Sequence, residues 1–372
     1  MTKSRKPTVK VMFLGLRGIG GIQGGVETHV AELVRHLPFD RSEIEVIGRT
    51  PYRRTDLAPD PTLPRVRWLP TLRNSFAEAL VHSLLGTLYA AWHRPQLLHI
   101  HAIGPNIVTP LARLLGLKVV ATHHGEDYRR EKWGHLARWV LRFGERQSVL
   151  SSRACIAISP VVAESLREKY GRPVDFIPNG VTAMERVSPG ETLAKLGLAP
   201  GRYVLNVARL VPEKRQLDLI EAFEAAGIED TKLVLVGGAD HKSEYAQRVR
   251  ERAQAARNVI LAGHVSGEPL AELFWNAGLF VLPSSHEGLP IVLLEAMSAQ
   301  LPVLVSDLPV YRHMGIPDNC IVPVGDVAAL GEHIRARLAG DRPVPDWSDI
   351  LLQYQWPRIA AATAEVYDKA GS

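Results

Sequence analysis

The sequence predicts an α/β protein of two facing Rossmann-like domains with a cleft between them. Three observations lead there. In the first half, short apolar runs alternate with amphipathic ones, the pattern of βα units that feed a mostly parallel sheet. In the second half the alternation starts again, after the junction Pro178-Asn179-Gly180-Val181 and the Pro189-Gly190 loop. Finally, 372 residues are more than one ordinary hydrophobic core accommodates. The first domain is placed at 1–182 and the second at 183–354. The last segment, 355–372, has helical spacing behind Trp356 and is expected to cross back and join the first domain.

Each element follows from local pattern, strands from short apolar runs and helices from apolar residues spaced three and four apart. In the first domain, strands are expected at 9–15, 43–48, 97–102, 117–122, 154–158 and 174–177, with helices at 25–37, 74–92, 105–115, 132–150 and 160–169. In the second, strands are expected near 202–208, 232–236, 258–262, 279–282 and 302–305. Its helices fall near 215–226, 243–255, 267–276, 290–299 and 326–338. The repeat is one of architecture, with no repeat of sequence beneath it.

Bulk properties narrow the class. Apolar residues make up 46% and charged residues 22%, the balance of a globular chain. The two cysteines, Cys155 and Cys320, lie far apart in apolar strand-like contexts and read as core residues in a reducing compartment. The run Val11-Met12-Phe13-Leu14 behind a basic start is too short for a signal peptide. No segment approaches the roughly 18 uninterrupted apolar residues of a membrane span. A cytoplasmic protein is expected. Residues 1–182 hold 26 Lys/Arg against 15 Asp/Glu, a charge of +11, and the remainder holds 18 against 24, or −6, within an overall +5. A basic half joined to an acidic half suits an anionic partner on one side only, such as a membrane surface or a phosphate-bearing lipid. Nucleic acid is not expected, because no nucleic-acid module is present.

The most informative stretch is Ser284-Ser285-His286-Glu287-Gly288-Leu289-Pro290-Ile291-Val292-Leu293-Leu294-Glu295. It leaves a buried-strand pattern and runs into a helix, so Glu287 and Glu295 stand at a strand-to-helix junction with seven residues between them. Ligands bind beyond the carboxyl ends of strands in open α/β sheets, and a helix N-terminus there suits a phosphate. Carboxylates beside it suit sugar and ribose hydroxyls, which donate to them. The pairing suggests a nucleotide sugar.

Three further segments carry chemistry. Gly15-Leu16-Arg17-Gly18-Ile19-Gly20-Gly21-Ile22-Gln23-Gly24-Gly25 follows the first strand, and its glycines let backbone approach a diphosphate. The G-x-G-x-x-G dinucleotide fingerprint fails in register, since counting from Gly18 puts Gln23 at the third position. Arg209 and Lys214, five residues apart around Pro212, form a fork and a point charge that could hold a pyrophosphate; the bland reading is a solvated loop. Ala121-Thr122-His123-His124-Gly125 ends another strand, near His99 and His101. Adjacent histidines on an extended strand point to opposite sides, so one histidine beside a sugar is favoured over a metal site. No D-x-D motif for a divalent cation is present. A fourth segment, Arg129–Arg153, sets Trp133, Leu136, Val140 and Phe143 on one face and Arg138, Arg142 and Arg146 on another. It reads as a packed helix with a solvated face, or as a basic helix lying on an anionic membrane.

Taken together, these sites resemble those of a family 4 glycosyltransferase of the GT-B fold. The match rests on the E-x7-E element from Glu287 to Glu295 with Arg209 and Lys214. Gly24-Gly25-Val26-Glu27, Thr122-x-His124-Gly125, Pro178-Asn179-Gly180-Val181 and the tryptophan-led last helix support it across essentially the whole length. Arg17-Gly18-Ile19, His123–Tyr128 and Lys132-Trp133-Gly134 resemble bacterial exopolysaccharide and capsule enzymes, including rhamnosyltransferase-like members. The resemblance implies retention of anomeric configuration, a nucleotide-sugar donor and no required metal. It assigns Arg209 and Lys214 to the departing diphosphate and Glu295 to the ribose. Glu287, with the backbone of Gly288, Leu289, Pro290 and Ile291, holds the donor sugar and its phosphate. Gly24 and Gly25 approach the diphosphate, His124 the transferred sugar, and Val265 the base. The expected reaction moves a hexose or deoxyhexose to a glycan or lipid-linked glycan acceptor. A nucleotide-sugar epimerase of the same fold is the alternative. A nicotinamide-dependent oxidoreductase is disfavoured by the failed fingerprint, and a non-catalytic nucleotide-sugar-binding module by the filled catalytic positions.

Overall fold

The computed structural model describes residues 10–372 apart from 23, 73–76, 127, 129–133, 240–242 and 341–343. Gln23, Asp127, Arg129, Lys132 and Trp133 of the motifs above therefore lie outside the described residues. The chain divides into two compact units, one drawn from residues up to Gly180 with Tyr354–Ser372, the other from Val181–Gln353.

The first unit is built on seven parallel strands: β1 Val11–Leu14, β2 Ile44–Arg49, β3 Arg65–Leu69, β4 Leu97–His101, β5 Val119–His123, β6 Ala154–Ala157 and β7 Asp175–Phe176. Their order is β3-β2-β1-β4-β5-β6-β7. β1 and β4 are buried at every position, as strands covered on both faces must be. One face receives Val30, Leu33 and Val34 of helix Gly25–His36 and Ile359, Ala360 and Tyr367 of helix Trp356–Gly371, packed on Val11, Phe13 and Val46. The other face, Met12, Leu14, Ile47, Leu98 and Ile100, receives Ala90, Val108 and Ala112. The closing helix thus belongs to the first unit. Its Trp356 ring lies against Gly180, where a Cβ would collide with it.

The second unit has six parallel strands: β8 Tyr203–Val207, β9 Lys232–Val236, β10 Val259–Gly263, β11 Leu279–Leu282, β12 Val303–Ser306 and β13 Ile321–Val322, ordered β10-β9-β8-β11-β12-β13. Leu219, Ile220 and Phe223 of helix Gln216–Ala226 pack on Leu233, Leu235, Leu279 and Val281. Each sheet reverses its winding once, between β1 and β4 in the first unit and between β8 and β11 in the second. Those are the switch points at which ligands bind in open α/β sheets.

The expectations miss several elements, among them the short helices Glu191–Leu196, Pro309–His313 and Ser348–Leu351. β3, an edge strand of alternating arginines, and the two-residue β13 were not expected, because edge pairing and length leave little apolar signal. The helix expected at 105–115 is a 3₁₀ turn, Pro105–Val108, followed by helix Thr109–Leu114, with prolines at the start of each piece. In helix His135–Leu150 the expected apolar face is wrong, for Leu136 is 74% exposed. The packed face is Leu141, Gly144, Glu145, Ser148 and Val149, because bare Gly144 lets the helix backbone meet the Ile103 carbonyl. Cys155 and Cys320 are buried and unbridged, and no described helix is long and apolar enough to cross a membrane.

Candidate active site

In the second unit, the loops after β8 and β11 carry the charged groups. Arg209 is half-buried beyond β8, and its carbonyl accepts a hydrogen bond from the buried Gln216 side chain at 2.9 Å, which fixes the loop. A 3₁₀ turn, Pro212–Lys214, follows. Lys214 Nζ meets Glu287 Oε1 at 2.5 Å, with only 15% and 8% of the two side chains exposed. The Ser285 N–H donates to the Glu213 carbonyl at 2.9 Å, so main chain and ion pair both join the two loops. Glu287 thus already has a cationic partner.

Gly288, Leu289 and Pro290 lead into helix Ile291–Ser298, with Pro290 at its N-cap. The N–H groups of a first helical turn have no partner within the helix and, with the macrodipole, make an anion-binding end. Glu295 sits half-buried just over one turn in, and Val265 half-buried in the loop leaving β10. Near Glu287, the hydroxyl of Tyr311 is fully buried and makes no hydrogen bond among the described residues. Burial first, and then the Glu287 charge, hold its pKa well above the ordinary value, so it remains a donor. No motif signalled Tyr311.

In the first unit, the glycine loop after β1 passes against β4: a Cβ on Gly15, at φ +104°, would strike the His101 carbonyl. Arg17 donates to Glu27 Oε1 through both its backbone N–H and its Nε, each at 3.1 Å. Gly24, at φ +149°, has no room for a side chain because that ion pair lies against it. Gly25 begins the helix and faces open space.

The histidines divide their work in a way that spacing alone did not reveal. His99 is spent on structure, with Nδ1 on the Tyr367 hydroxyl at 2.6 Å and Nε2 on the Thr122 hydroxyl at 2.7 Å. His123 turns away from its neighbour, as alternation on a strand requires. Its Nδ1 accepts from the Gly125 N–H at 3.2 Å, and its Nε2 faces Glu145 at 3.5 Å. Glu145 also accepts from Lys169 at 2.5 Å and Tyr170 at 2.8 Å. Burial alone would raise the Glu145 pKa, but the hydrogen bonds from His123, Lys169 and Tyr170 outweigh it and bring it down to about 2. This network pins the turn that carries His124. His124 Nε2 lies 2.9 Å from His101 Nδ1, and His29, from helix Gly25–His36, completes the group with its Nδ1 on Asn179 Oδ1 at 2.8 Å. Burial lowers the pKa of His29 to about 4, against the raising effect of Asn179. Burial also puts His101 and His124 well below the ordinary value, neighbouring histidines adding to the effect. The nitrogens of His29, His101 and His124 fall within 4.8 Å of one another, and these are the residues that could hold a metal. His29 was missed because it sits on a helix, far in sequence from the others.

The structure thus brings Lys214 to Glu287, sets Arg209, Val265 and Glu295 on loops and a helix at the same ends of the second sheet, and places His124 against His101. Gly24 and Gly25 open the first helix as the sequence indicated.

Comparison with known proteins agrees with this architecture. Residues 23–184 match the model of Glycosyltransferase Family 4, and residues 192–346 match that of Glycosyl transferases group 1. The UDP-Gal:alpha-D-GlcNAc-diphosphoundecaprenol alpha-1,3-galactosyltransferase of Escherichia coli is 28% identical over 325 residues, covering 82% of this chain and 81% of that protein. The alpha-maltose-1-phosphate synthase of Mycobacterium tuberculosis is 27% identical over 387 residues, covering 94% and 96%. Among solved structures, Anabaena HepE in complex with UDP-glucose superposes with a TM-score of 0.77 at 17% identity, over 96% of this chain and 99% of that one. Two parallel-sheet Rossmann-like units of this kind are those of the GT-B class. The chain belongs to the family 4 glycosyltransferases and is a glycosyltransferase.

Proposed function

We propose that this enzyme moves a hexose or deoxyhexose from a nucleotide-diphosphate sugar to a glycan acceptor in bacterial surface polysaccharide synthesis, with retention of configuration. The observation that carries it is the Lys214–Glu287 pair beside helix Ile291–Ser298, a cation, a carboxylate and an anion-binding end at one switch point. When the donor binds, Lys214 turns to the diphosphate with Arg209, and Glu287 is released to accept from sugar hydroxyls. The backbone of Gly288, Leu289, Pro290 and Ile291 lines the phosphate and sugar, Glu295 takes the ribose, and Val265 the base. In the first unit, Gly24 and Gly25 serve the diphosphate and His124 the transferred sugar. The acceptor oxygen attacks the anomeric carbon as the carbon–oxygen bond to the phosphate breaks. The electron pair leaves with the phosphate, which also takes the acceptor's proton. Arg209 and Lys214 supply the positive charge for this departure, so the transfer requires no metal.

The lipid-linked acceptor and the membrane contact belong to the same reading. Helix Ala77–His93 exposes Leu80, Leu84, Leu88 and Trp92 at steps of four, with Trp92 85% exposed. Neighbouring helices expose Leu114, Leu136 and Trp139 beside the exposed Arg113, Arg142 and Arg146. The two acids on these helices, Glu78 and Glu145, are buried and paired. An apolar stripe with a cationic margin fits an anionic lipid surface, whereas a second copy would bring the same arginines together. The enzyme then works at the cytoplasmic face of a membrane.

Incubation of the enzyme with a nucleotide sugar and a lipid-diphosphate glycan, followed by proton NMR of the anomeric signal, tests the reaction. A new glycoside with the donor's configuration is expected. Conversion of the donor to another sugar without acceptor would establish the epimerase instead, and a sugar 1-phosphate as preferred acceptor would replace the lipid-linked one.

A further inference from the structure

We propose that His29, His101 and His124 form a three-imidazole site for a zinc-type transition-metal ion, and that filling it inhibits transfer by occupying His124. The first half stands on geometry alone; the second rests on His124 serving the transferred sugar.

Three features distinguish this group from histidines that merely pack together. The first is spacing. The ligand nitrogens lie within 4.8 Å of one another, and the closest pair, His101 and His124, is already at 2.9 Å. Tetrahedral zinc, with bonds of roughly 2.0–2.1 Å to histidine, places its ligand nitrogens about 3.4 Å apart, between the two spacings seen here.

The second is an unanswered buried atom. A single N–H bridges His101 Nδ1 and His124 Nε2. If His101 donates it, His101 Nε2 is a bare lone pair. If His124 donates it, His101 Nε2 carries a hydrogen with no acceptor. Either way that nitrogen is fully buried with no partner among the described residues, an arrangement that costs about 1–3 kcal/mol. An ion held by His101 Nδ1 and His124 Nε2 would take the place of the hydrogen those two nitrogens share, and His101 Nε2 would keep its own hydrogen.

The third is a supporting shell. Asn179 Oδ1 accepts from His29 Nδ1–H, which fixes the tautomer and leaves Nε2 as the metal-binding nitrogen, as outer partners do in histidine metal sites. Asn179 is itself 4% exposed. His124 is half-buried while His29 and His101 are buried, so the ion reaches the site from the His124 side. Imidazole ligands select Zn²⁺, Co²⁺, Ni²⁺ and Cu²⁺ over Mg²⁺.

Untagged, chelator-treated protein is titrated with Co²⁺, followed by visible absorption, and with Zn²⁺ by calorimetry. One equivalent of Zn²⁺ is expected, with the intense visible bands of four-coordinate Co²⁺ and no heat from Mg²⁺. His29→Gln and His101→Gln should each abolish binding. Asn179→Ala should weaken it about 10–100-fold through the outer partner alone. Circular dichroism confirms that the variants fold. Failure of wild type to bind one equivalent overturns the site, as does unchanged binding in both histidine variants. These titrations use no sugar, so an enzyme without transferase activity would count against the proposed function and not against the site. With active enzyme, turnover should fall in proportion to occupancy and return on chelation; full occupancy with unchanged turnover overturns the inhibitory role.

Discussion

Lys214 and Glu287 neutralise each other, and under the proposed function an exchange of partners on donor binding would account for two glutamates in a site for a polyanion. In that proposal a phosphate entering beside helix Ile291–Ser298 would compete for Lys214, and the freed carboxylate would meet the hydroxyls of the same ligand. Lys214→Ala and Arg209→Ala should each lower turnover by roughly 10²–10³-fold, as loss of one charge contact to a transition state does. Both sites are loops at a strand end, so the thermal midpoint should move by only a few degrees. Glu145 makes the opposite kind of prediction. Its folded pKa, about 2, lies below the ordinary carboxylate value, so the stability it contributes is present above about pH 4.5 and is lost as pH falls toward 2. Glu145→Gln should therefore cost on the order of 3 kcal/mol at pH 7, and the gap from wild type should close in acid unfolding curves. A gap that stays constant from pH 7 to pH 3 would remove the charge-based account of this network.

Among the elements, the strands and helices with their own apolar period were legible in the sequence, and those that depend on neighbours were not. β8, β9 and β11 are apolar runs bounded by turns, and β9 and β11 stand at their expected bounds. β3 reads Arg-Val-Arg-Trp-Leu and becomes a strand by pairing with β2, a fact of tertiary structure. Helix His135–Leu150 shows the same limit. Its period was visible, but which face is buried depends on Gly144 meeting the Ile103 carbonyl. The consequence is an exposed Leu136 and Trp139, which with helix Ala77–His93 make up the face proposed for lipid. Liposome flotation should recover the protein with anionic vesicles and much less with neutral ones, and Leu84→Glu with Leu88→Glu should abolish recovery. Equal recovery with both vesicle types would reject the electrostatic part. The terminal helix carries a further expectation. Trp356 is 1% exposed against Gly180, so Trp356→Ala should destabilise the first unit by about 3–5 kcal/mol, measured by denaturant unfolding.

For the molecule as a whole, the sequence announced two α/β units and the order of their motifs, because β-α alternation and glycine or proline punctuation are local signals. It also singled out Arg209, Lys214, Glu287 and Glu295, which stand after β8 and β11, and the structure pairs Lys214 with Glu287. It could not announce the group made by His29, His101, His124 and Asn179. Those four residues come from a helix, two strand ends and the junction loop, and only sheet order brings them together. The dipole end, the cations and the carboxylates of the second unit make a single claim, that a nucleotide-diphosphate sugar is held there through its diphosphate. The most direct test is thermal stabilisation by a panel of such sugars, measured on wild type and on Lys214→Ala side by side. At about 100 times its dissociation constant the correct donor adds roughly 2.7 kcal/mol of apparent stability. The account requires at least one donor to raise the wild-type midpoint by several degrees and to lose most of that effect in Lys214→Ala. Stabilisation of both proteins to the same extent, or of neither by any donor, would contradict it.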